Sequence, residues 1–237
     1  SVPEELNRKL IDHVADLNLT YTNISKQNLI NEGLHPEKII YIGSPMKEVL
    51  NFYNHQVKKS KILKKLNIKK NSFFLVSLHR EENVDNQKKL KEFFESIVFL
   101  CSFHKKKAII STHFRTAKRL EKLTINNKNL IFKKPFGFID YIQLQKNSFI
   151  TLSDSGTLSE ESSIIGRSSI HLRHCTERPE GIENGAIILG GSTKKKLNSA
   201  VNIVKQLNKV DNHESYNKDN VSNIVLKSII SYLDYYK

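Results

Sequence analysis

The sequence predicts an α/β fold, in which helices cover both faces of a doubly wound parallel sheet. From residue 73 onward, short apolar segments alternate with amphipathic helical patterns. Such alternation is typical of a parallel sheet, because each helix carries the chain back to the start of the next strand. The 237 residues are 38% hydrophobic and 26% charged, the composition of a globular chain that can bury a core without disulfides.

The first 57 residues are predicted to form three helices and two short strands. Apolar residues recur at helical spacing over residues 4–17, behind a proline that suits the first turn of a helix. A second helix, over residues 25–32, ends at Gly33. Pro45 opens a third helix that extends to Val57. The extended stretches lie at residues 19–22 and 38–42.

Strands and helices alternate regularly in the rest of the chain. The predicted strands cover residues 73–78, 108–112, 130–133, 149–153, 169–172 and 187–188. The predicted helices cover residues 86–101, 116–123, 139–146, 155–165 and 194–207. A long loop is predicted between the fifth of these strands and residue 186. A polar linker over residues 210–218 then precedes a final helix that Asp219 caps.

The charge balance indicates a solvated basic surface. The 38 basic and 24 acidic residues give a formal net charge of +14, which raises the expectation of an anionic partner. Most of the excess is scattered lysine, and no predicted helix carries one continuous basic face of the kind that nucleic-acid binding uses. No apolar run approaches the roughly 20 residues of a membrane helix. We therefore expect neither nucleic acid nor a membrane as a partner.

The residues that follow the predicted strands carry most of the reactive side chains. In open parallel sheets, ligands bind beyond the carboxyl ends of the strands. Five such segments are rich in His, Arg, Ser, Gly or carboxylate, and they cover residues 79–83, 113–115, 135–138, 154–157 and 175–180. Because parallel strands all end at the same edge, these segments are expected to lie together.

The segment Asp154-Ser155-Gly156-Thr157 predicts an anion site at the start of a helix. Free N–H groups and the helix dipole favour a phosphate there, Gly156 lets the backbone approach it, and the Ser155 hydroxyl can donate. Arg178 follows a neighbouring strand and can pair with the same diphosphate through two parallel bonds. The alternatives are an ordinary N-cap at Ser155, supported by Glu161, and a surface ion pair for Arg178.

Two further groups of ionisable residues stand out. The cluster at residues 79–82 contains a histidine, which can exchange protons or contact an anion near neutral pH, although a solvated loop is the alternative. Glu4 and Glu5 begin the first helix, where carboxylates suit the dipole. Neither a GxGxxG nor a Walker A motif is present. The only cysteines, Cys101 and Cys175, form neither a disulfide framework nor a metal-binding pattern.

Four segments occur in a fixed order. They are Pro3-Glu4-Glu5-Leu6-Asn7-Arg8, His79-Arg80-Glu81-Glu82-Asn83, Asp154-Ser155-Gly156-Thr157-Leu158-Ser159-Glu160-Glu161 and Thr176-Glu177-Arg178-Pro179-Glu180-Gly181. Together they resemble the non-hydrolysing UDP-N-acetylglucosamine 2-epimerases, and the last two in combination are highly specific. The resemblance covers essentially the whole chain. Residues 43–46 and 134–138 resemble a capsule and O-antigen branch, in which some members act on 6-deoxy sugars.

The resemblance implies two Rossmann-like domains that face each other across a cleft, as in GT-B glycosyltransferases. Residues 1–43 would be a remnant of the N-terminal domain, residues 44–210 the C-terminal UDP-binding domain, and residues 211–237 a linker and a crossing helix. Most of the N-terminal domain, with two further catalytic carboxylates, has no counterpart here. A natural truncation, a split protein or a cut made for structural work would each account for this. The apolar face of the last helix would then need another partner or lie exposed.

The resemblance also implies roles for individual residues. Substrate-binding positions fall at Arg80, Tyr141, Ser155, Gly156, Thr157, Glu161 and Arg178. Among these, Tyr141 matches an aromatic that packs on uracil, and Thr157 stands where the family frequently has glycine. Glu4 matches a carboxylate implicated in proton transfer, and His79 would contact phosphate or assist catalysis. Positions linked to allosteric binding of a second UDP-sugar fall near Arg80 and His113.

The implied activity is interconversion of UDP-N-acetylglucosamine and UDP-N-acetylmannosamine, or of 6-deoxy analogues of the UDP-N-acetyl-fucosamine type, for surface polysaccharide synthesis. In the family reaction a base removes the C2 proton and UDP leaves C1, and UDP returns after C2 is protonated on the other face. No metal or nicotinamide cofactor is required. The expected partners are a UDP-sugar, the missing domain or a chain supplying it, and a second copy, in the bacterial cytosol.

Three alternatives stand beside this interpretation. The chain is an inactive or split UDP-sugar-binding fragment of such an enzyme, which predicts binding of UDP without turnover. It is a GT-B glycosyltransferase, which the segment at residues 176–181 argues against. The last is a basic nucleic-acid binder, which predicts salt-sensitive binding that UDP does not compete.

Overall fold

The computed structural model describes residues 3–78, 86–112, 117, 119–120, 125, 127–173, 175–206 and 210–233, with residues 3 and 4 described by their backbone alone. The clusters predicted at residues 79–83 and 113–115, and most of the helix predicted at 116–123, lie outside the described residues. Contacts divide the chain into two compact units. Unit 1 comprises Ser1–Phe52 with His213–Lys237, and unit 2 comprises Tyr53–Asn212.

The described residues form eight strands, eleven helices and two 3₁₀ turns. The strands are β1 (Asn18–Thr20), β2 (Ile39–Tyr41), β3 (Phe73–Leu78), β4 (Lys107–Thr112), β5 (Leu130–Lys133), β6 (Ile150–Ser153), β7 (Ser169–His171) and β8 (Ile187–Leu189). The helices are α1 (Pro3–Val14), α2 (Asn23–Asn31), α3 (Met46–Phe52), α4 (Asn54–Lys59), α5 (Ile62–Lys65), α6 (Gln87–Phe103), α7 (Phe138–Asn147), α8 (Leu158–Ile165), α9 (Glu180–Glu183), α10 (Lys194–Gln206) and α11 (Val221–Tyr232). The 3₁₀ turns are Pro36–Lys38 and Glu214–Tyr216.

Unit 1 is built on the parallel pair β1 and β2. The Thr22 hydroxyl caps α2 by accepting a hydrogen bond from the Ser25 N–H, and Gly33 follows the helix at a φ of 96°. The Arg8 guanidinium of α1 bonds Glu32, at the end of α2, with an N–O distance of 2.7 Å. The 3₁₀ turn Glu214–Tyr216, in the range predicted as a linker, buries the ring of Tyr216.

Two helices of unit 1 leave apolar side chains in solvent. On α1 these are Leu6, Leu10, Ile11 and Val14, and on α11 they are Leu226, Ile229, Ile230 and Leu233, all at least 48% exposed. Of the apolar face predicted for the last helix, Ile229 is exposed, whereas Val221 is buried. Among the described residues, no helix is both long and apolar enough to cross a membrane.

Unit 2 is a six-stranded sheet, and all its described strand pairs are parallel, with the order β5-β4-β3-β6-β7-β8. Side chains of alternate residues enter two cores. Phe74 and Val76 of β3 join the core that contains α6 and α10, while Phe73 and Leu75 join the core that contains α5 and Leu144 of α7. The sheet is therefore covered on both faces, and the predicted doubly wound α/β fold is confirmed.

Several predicted element boundaries are wrong. The helix expected to extend from Pro45 to Val57 is two helices that are separated at Tyr53, whose ring packs against Phe138. Asp219 does not cap the last helix, since Asn220 holds that position and the Asp219 carboxylate pairs with Lys47. The loop predicted before residue 186 contains the short helix α9.

Candidate functional site

The strand order reverses between β3 and β6, and this position defines the candidate site. From β3 the chain winds toward β5 on one side, and from β6 it winds toward β8 on the other. The two strands are paired in register up to Ser77 and Ser153. A crevice forms beyond the carboxyl ends of strands at such a reversal, because the connections leave in opposite directions. The segment predicted to bind an anion follows β6 at this point.

The turn between β6 and α8 is organised by its own hydroxyl groups. The Ser155 N–H donates to the Ser153 Oγ at 3.1 Å, and the hydroxyls of Ser155 and Thr157 are 3.1 Å apart. The Thr157 Oγ1 donates to the Glu161 Oε1 at 2.8 Å. The predicted start of the helix at Ser155 is wrong, since α8 begins at Leu158 and Thr157 is its N-cap residue, without a side-chain capping bond. Thr157 thus orders Glu161 rather than the helix end.

Gly156 faces open space at the centre of this turn. Among the described residues, a Cβ built on Gly156 would meet no atom within 4 Å apart from its chain neighbours, and its φ lies outside the left-handed region. Contacts with the described residues therefore do not require a glycine at this position. The adjacent N-terminus of α8 presents free N–H groups and the positive end of the helix dipole. The open volume beside Gly156 is suited to an anionic group.

Two arginines from the segment after β7 reach this turn. The Arg173 Nε donates to the Asp154 carbonyl at 2.9 Å and fixes the start of the turn. The Arg178 Nη1 donates to the Gly156 carbonyl at 3.1 Å and forms a very short ion pair with Glu160. Arg178 thereby places a positive charge beside the open volume. Its predicted alternative, a surface ion pair with Glu177 or Glu180, does not occur, because the partner is a buried glutamate of α8.

Glu161 is a buried carboxyl group at the base of the site. Burial raises its pKa to about 7, and the neighbouring Glu160 adds to the rise. The Thr157 hydroxyl, the Gln145 amide and the Arg178 charge all favour the ionised form and limit the rise in pKa. The carboxyl group therefore changes its protonation near neutral pH.

Tyr141 of α7 lies on the other side of the turn. Its ring packs against the core that includes Leu75 and Leu144, and its hydroxyl lies close to Ser77 and Ser153, the last paired residues of the two central strands. Burial raises the pKa of this phenol, and the nearby Glu161 charge contributes to the rise. Tyr141 therefore stays neutral and acts as a hydrogen-bonding group and an apolar wall.

The structure brings together six of the predicted site residues, namely Tyr141, Ser155, Gly156, Thr157, Glu161 and Arg178. His79, Arg80 and His113 lie outside the described residues. Glu4 belongs to α1 in unit 1, and its side chain also lies outside the described part of the chain. The sequence did not single out Glu160 or Arg173, although both are close to predicted segments. No group of His, Cys, Asp and Glu side chains suited to a metal ion occurs among the described residues.

A sequence profile described as UDP-N-acetylglucosamine 2-epimerase matches residues 1–230. The chain belongs to this family. The UDP-N-acetylglucosamine 2-epimerase of Methanocaldococcus jannaschii is 37% identical over 220 residues, which are 90% of this chain and 60% of that protein. The chain thus spans less than two thirds of this relative's length.

Solved structures of the family share the fold. The UDP-N-acetylglucosamine 2-epimerase of Rickettsia bellii has a TM-score of 0.87 at 36% identity, covering 99% of this chain and 64% of that one. The Methanocaldococcus jannaschii enzyme in complex with UDP-GlcNAc and UDP has a TM-score of 0.85 at 36% identity, covering 97% and 65%. These neighbours are GT-B-like, so the predicted fold class and family are both confirmed.

Proposed function

We propose that this chain supplies the UDP-binding half of a UDP-N-acetylglucosamine 2-epimerase. The observation that carries the proposal is the open volume at Gly156, which the α8 N-terminus and Arg178 surround with positive charge at the reversal of strand order. Family membership and the ligands of the Methanocaldococcus jannaschii structure support a UDP-sugar as the bound molecule.

Each part of a UDP-sugar finds a suitable group in the site. The diphosphate would lie on the Ser155–Gly156 turn, with the Ser155 hydroxyl and Arg178 as donors. The ionised Glu161 would accept hydrogen bonds from ribose hydroxyls, and the Tyr141 side chain would form a wall for uracil. Thr157 would act through Glu161, because its hydroxyl already donates to that carboxylate.

The proposed reaction is an elimination followed by an addition. A base takes the C2 proton, the C1–O bond breaks with its electron pair going to UDP, and a glycal forms; the steps then reverse with protonation of the opposite face of C2. Arg178 and the α8 N-terminus would stabilise the charge that develops on the departing diphosphate. We assign proton transfer to Glu4 and His79 and binding of a second UDP-sugar to Arg80 and His113, on the family resemblance.

The finer assignments follow the resemblance as well. The product would be UDP-N-acetylmannosamine, or the substrate a 6-deoxy analogue, and the sugar would enter surface polysaccharides such as capsule or O-antigen. We place the reaction in the bacterial cytosol and propose a homodimer as the assembly. No metal or nicotinamide enters the proposed reaction.

The chain would need a complementing domain for turnover. It spans about 60% of the relative from Methanocaldococcus jannaschii, and unit 1 has only the two-stranded sheet β1–β2 among its described residues. Parallel sheets are normally larger and covered on both faces. We propose that the remaining strands of this sheet, and a cover for the apolar side chains of α1 and α11, come from an N-terminal domain in the same polypeptide or in a separate chain.

Calorimetric titration of the chain with UDP, UDP-N-acetylglucosamine and uridine tests the binding function. We expect UDP and the UDP-sugar to bind and Arg178→Gln to weaken both at least tenfold, because a charge-assisted contact to phosphate is lost. Uridine should bind the variant and the wild type equally. Lys195→Gln, on the exposed side of α10, is the matched control for removal of one positive charge. A wild-type chain that binds no UDP, or that loses as much affinity with Lys195→Gln, contradicts the proposal.

A further inference from the structure

Glu160 is a buried acidic residue beside a site proposed to bind an anion. Its side chain is 3% exposed, whereas the side chain of its partner Arg178 is 31% exposed. A carboxylate repels a bound diphosphate and costs desolvation energy when buried. Its placement therefore calls for an explanation in terms of what it does to Arg178.

Within the described residues, the side-chain hydrogen bonds of Arg178 all come from the Nη1 atom of its guanidinium group. The Nη1 atom donates both to Glu160 of α8 and to the Gly156 carbonyl at 3.1 Å. Within the described residues, the Nε and Nη2 atoms have no protein acceptor. A planar guanidinium held at one nitrogen by two acceptors cannot rotate freely about its terminal bonds. Its Nε–Nη2 edge is consequently fixed, and no described residue accepts a hydrogen bond from that edge.

The two acceptors come from the first turns of the segment that forms the anion site. Gly156 lies in the turn with the open volume, and Glu160 lies one helical turn further along, in α8. The Arg178 backbone is held as well, since its N–H donates to the Thr176 Oγ1 at 3.1 Å. The arginine therefore bridges the segment after β7 and the start of α8, with its charge at the entrance to the site.

We propose that Glu160 is a positioning residue, which holds the Nη1 atom of Arg178 so that the Nε–Nη2 edge donates two parallel hydrogen bonds to the diphosphate. This inference rests on the proposed binding of UDP-sugars. According to this inference, the gain in affinity from orienting Arg178 is larger than the loss from repulsion between the Glu160 carboxylate and the diphosphate. Bidentate donation to a phosphate requires a guanidinium with a fixed orientation, and pre-ordering reduces the entropy lost on binding.

Titration of Glu160→Gln with UDP and with uridine separates positioning from folding. The glutamine keeps the size of the side chain but loses the charge-assisted bond. We expect UDP to bind about tenfold more weakly than to the wild type and uridine to bind equally well. Glu183→Gln, at an exposed position of α9, is the matched control and should change neither affinity. If Glu160→Gln binds UDP as tightly as the wild type or more tightly, the carboxylate acts as a repulsive charge and the inference is wrong.

A second measurement uses the wild-type chain and does not depend on folding of the Glu160 variant. Slow rotation of a held guanidinium gives separate ¹⁵N–¹H signals for its Nη groups, which Arg178→Lys assigns by their disappearance. We expect separate signals before UDP is added and a displaced Nε–H signal afterwards. An averaged Nη signal in the free protein overturns the positioning role. Failure of the wild type to bind UDP overturns the proposed function instead, so the two failures are distinguishable.

Discussion

Gly156 is a residue at which ligand binding and folding can be separated. A Cβ at this position meets no atom of the other described residues within 4 Å, and the φ of Gly156 lies outside the left-handed region. We expect Gly156→Ala to leave the free energy of unfolding within about 1 kcal/mol of the wild type. UDP should nevertheless bind at least tenfold more weakly, because the methyl group occupies the volume assigned to phosphate. Denaturation in urea and calorimetry with UDP and uridine check both expectations. Equal loss of UDP and uridine affinity would contradict the assignment.

Glu161 predicts a pH dependence of stability. Its pKa is about 7 in the folded chain and near 4.5 for an ordinary glutamate, so between these values the folded state binds more protons than the unfolded state. Stability contributed by this group is therefore present below pH 4.5 and is lost as the pH rises through 7. A difference of one in pKa between the folded and unfolded states corresponds to about 1.4 kcal/mol of folding free energy.

The wild type should accordingly lose on the order of 2 kcal/mol more than Glu161→Gln between pH 5 and pH 8. Urea denaturation at several pH values measures the difference. Glu183→Gln is the control, because it removes a carboxylate that is exposed to solvent. If the free energy of unfolding changes with pH equally in the wild type and in Glu161→Gln, the Glu161 carboxyl group titrates as in the unfolded chain and the prediction is wrong.

The adjacent residues Glu160 and Glu161 of α8 illustrate which features of the site the sequence predicts and which it does not. A strand followed by a Ser-Gly turn and a helix sufficed to predict the anion site, because helix ends attract anions wherever they occur. The sequence analysis predicted a substrate-binding role for Glu161 and none for Glu160. Only the packing shows that Glu160 meets Arg178 from a distant segment, whereas Glu161 meets Thr157 and Gln145. Contacts between segments far apart in the chain leave no local pattern.

At the scale of elements, α8 and α9 approach each other so closely that one position must be glycine. A Cβ on Gly181 would lie 2.7 Å from both Cβ and Oγ of Ser159. We expect Gly181→Ala to lower the free energy of unfolding by about 1–3 kcal/mol, because neither short backbone segment can move without disturbing the sheet. Ser159→Gly in the same chain should restore part of the loss. Urea denaturation of both single variants and the double variant tests this.

The single variant Ser159→Gly is the control for this comparison, and its expected cost follows from helix propensity. Ser159→Gly alone should cost about 0.5 kcal/mol, the usual difference between serine and glycine inside a helix. The prediction is wrong if Gly181→Ala is as stable as the wild type. It is also wrong if the changes in unfolding free energy of the two single variants simply add in the double variant.

The elements that the sequence predicted share a physical cause. Strands β3, β4 and β6 are buried on both faces, and the adjacent apolar residues of β3 and β4 contrast with the periodic helices around them. The helices α5 and α9 have four residues each, too few for a periodic pattern. The break at Tyr53 was also missed, and the ring at this position contacts Phe138 from another part of the chain.

At the scale of the whole molecule, the exposed apolar side chains of unit 1 bear on catalysis. Leucine and isoleucine residues on both α1 and α11 are 48–67% exposed, and we propose that another element covers them in the complete enzyme. In the proposed enzyme these helices belong to the domain that supplies the remaining catalytic carboxylates. The chain alone should therefore bind UDP without moving the C2 proton.

Proton NMR of UDP-N-acetylglucosamine in D2O follows that proton directly. With the chain alone we expect broadened uracil signals and no loss of the C2 proton signal. A fusion that places the part of the Methanocaldococcus jannaschii relative not spanned by this chain ahead of residue 1 should restore exchange, because it completes the sheet and adds the missing carboxylates. Exchange by the chain alone would mean that its own residues, Glu4 and His79 among them, suffice for proton abstraction. If UDP binds and neither the chain nor the fusion exchanges, this chain has kept the nucleotide site of its family but not the chemistry.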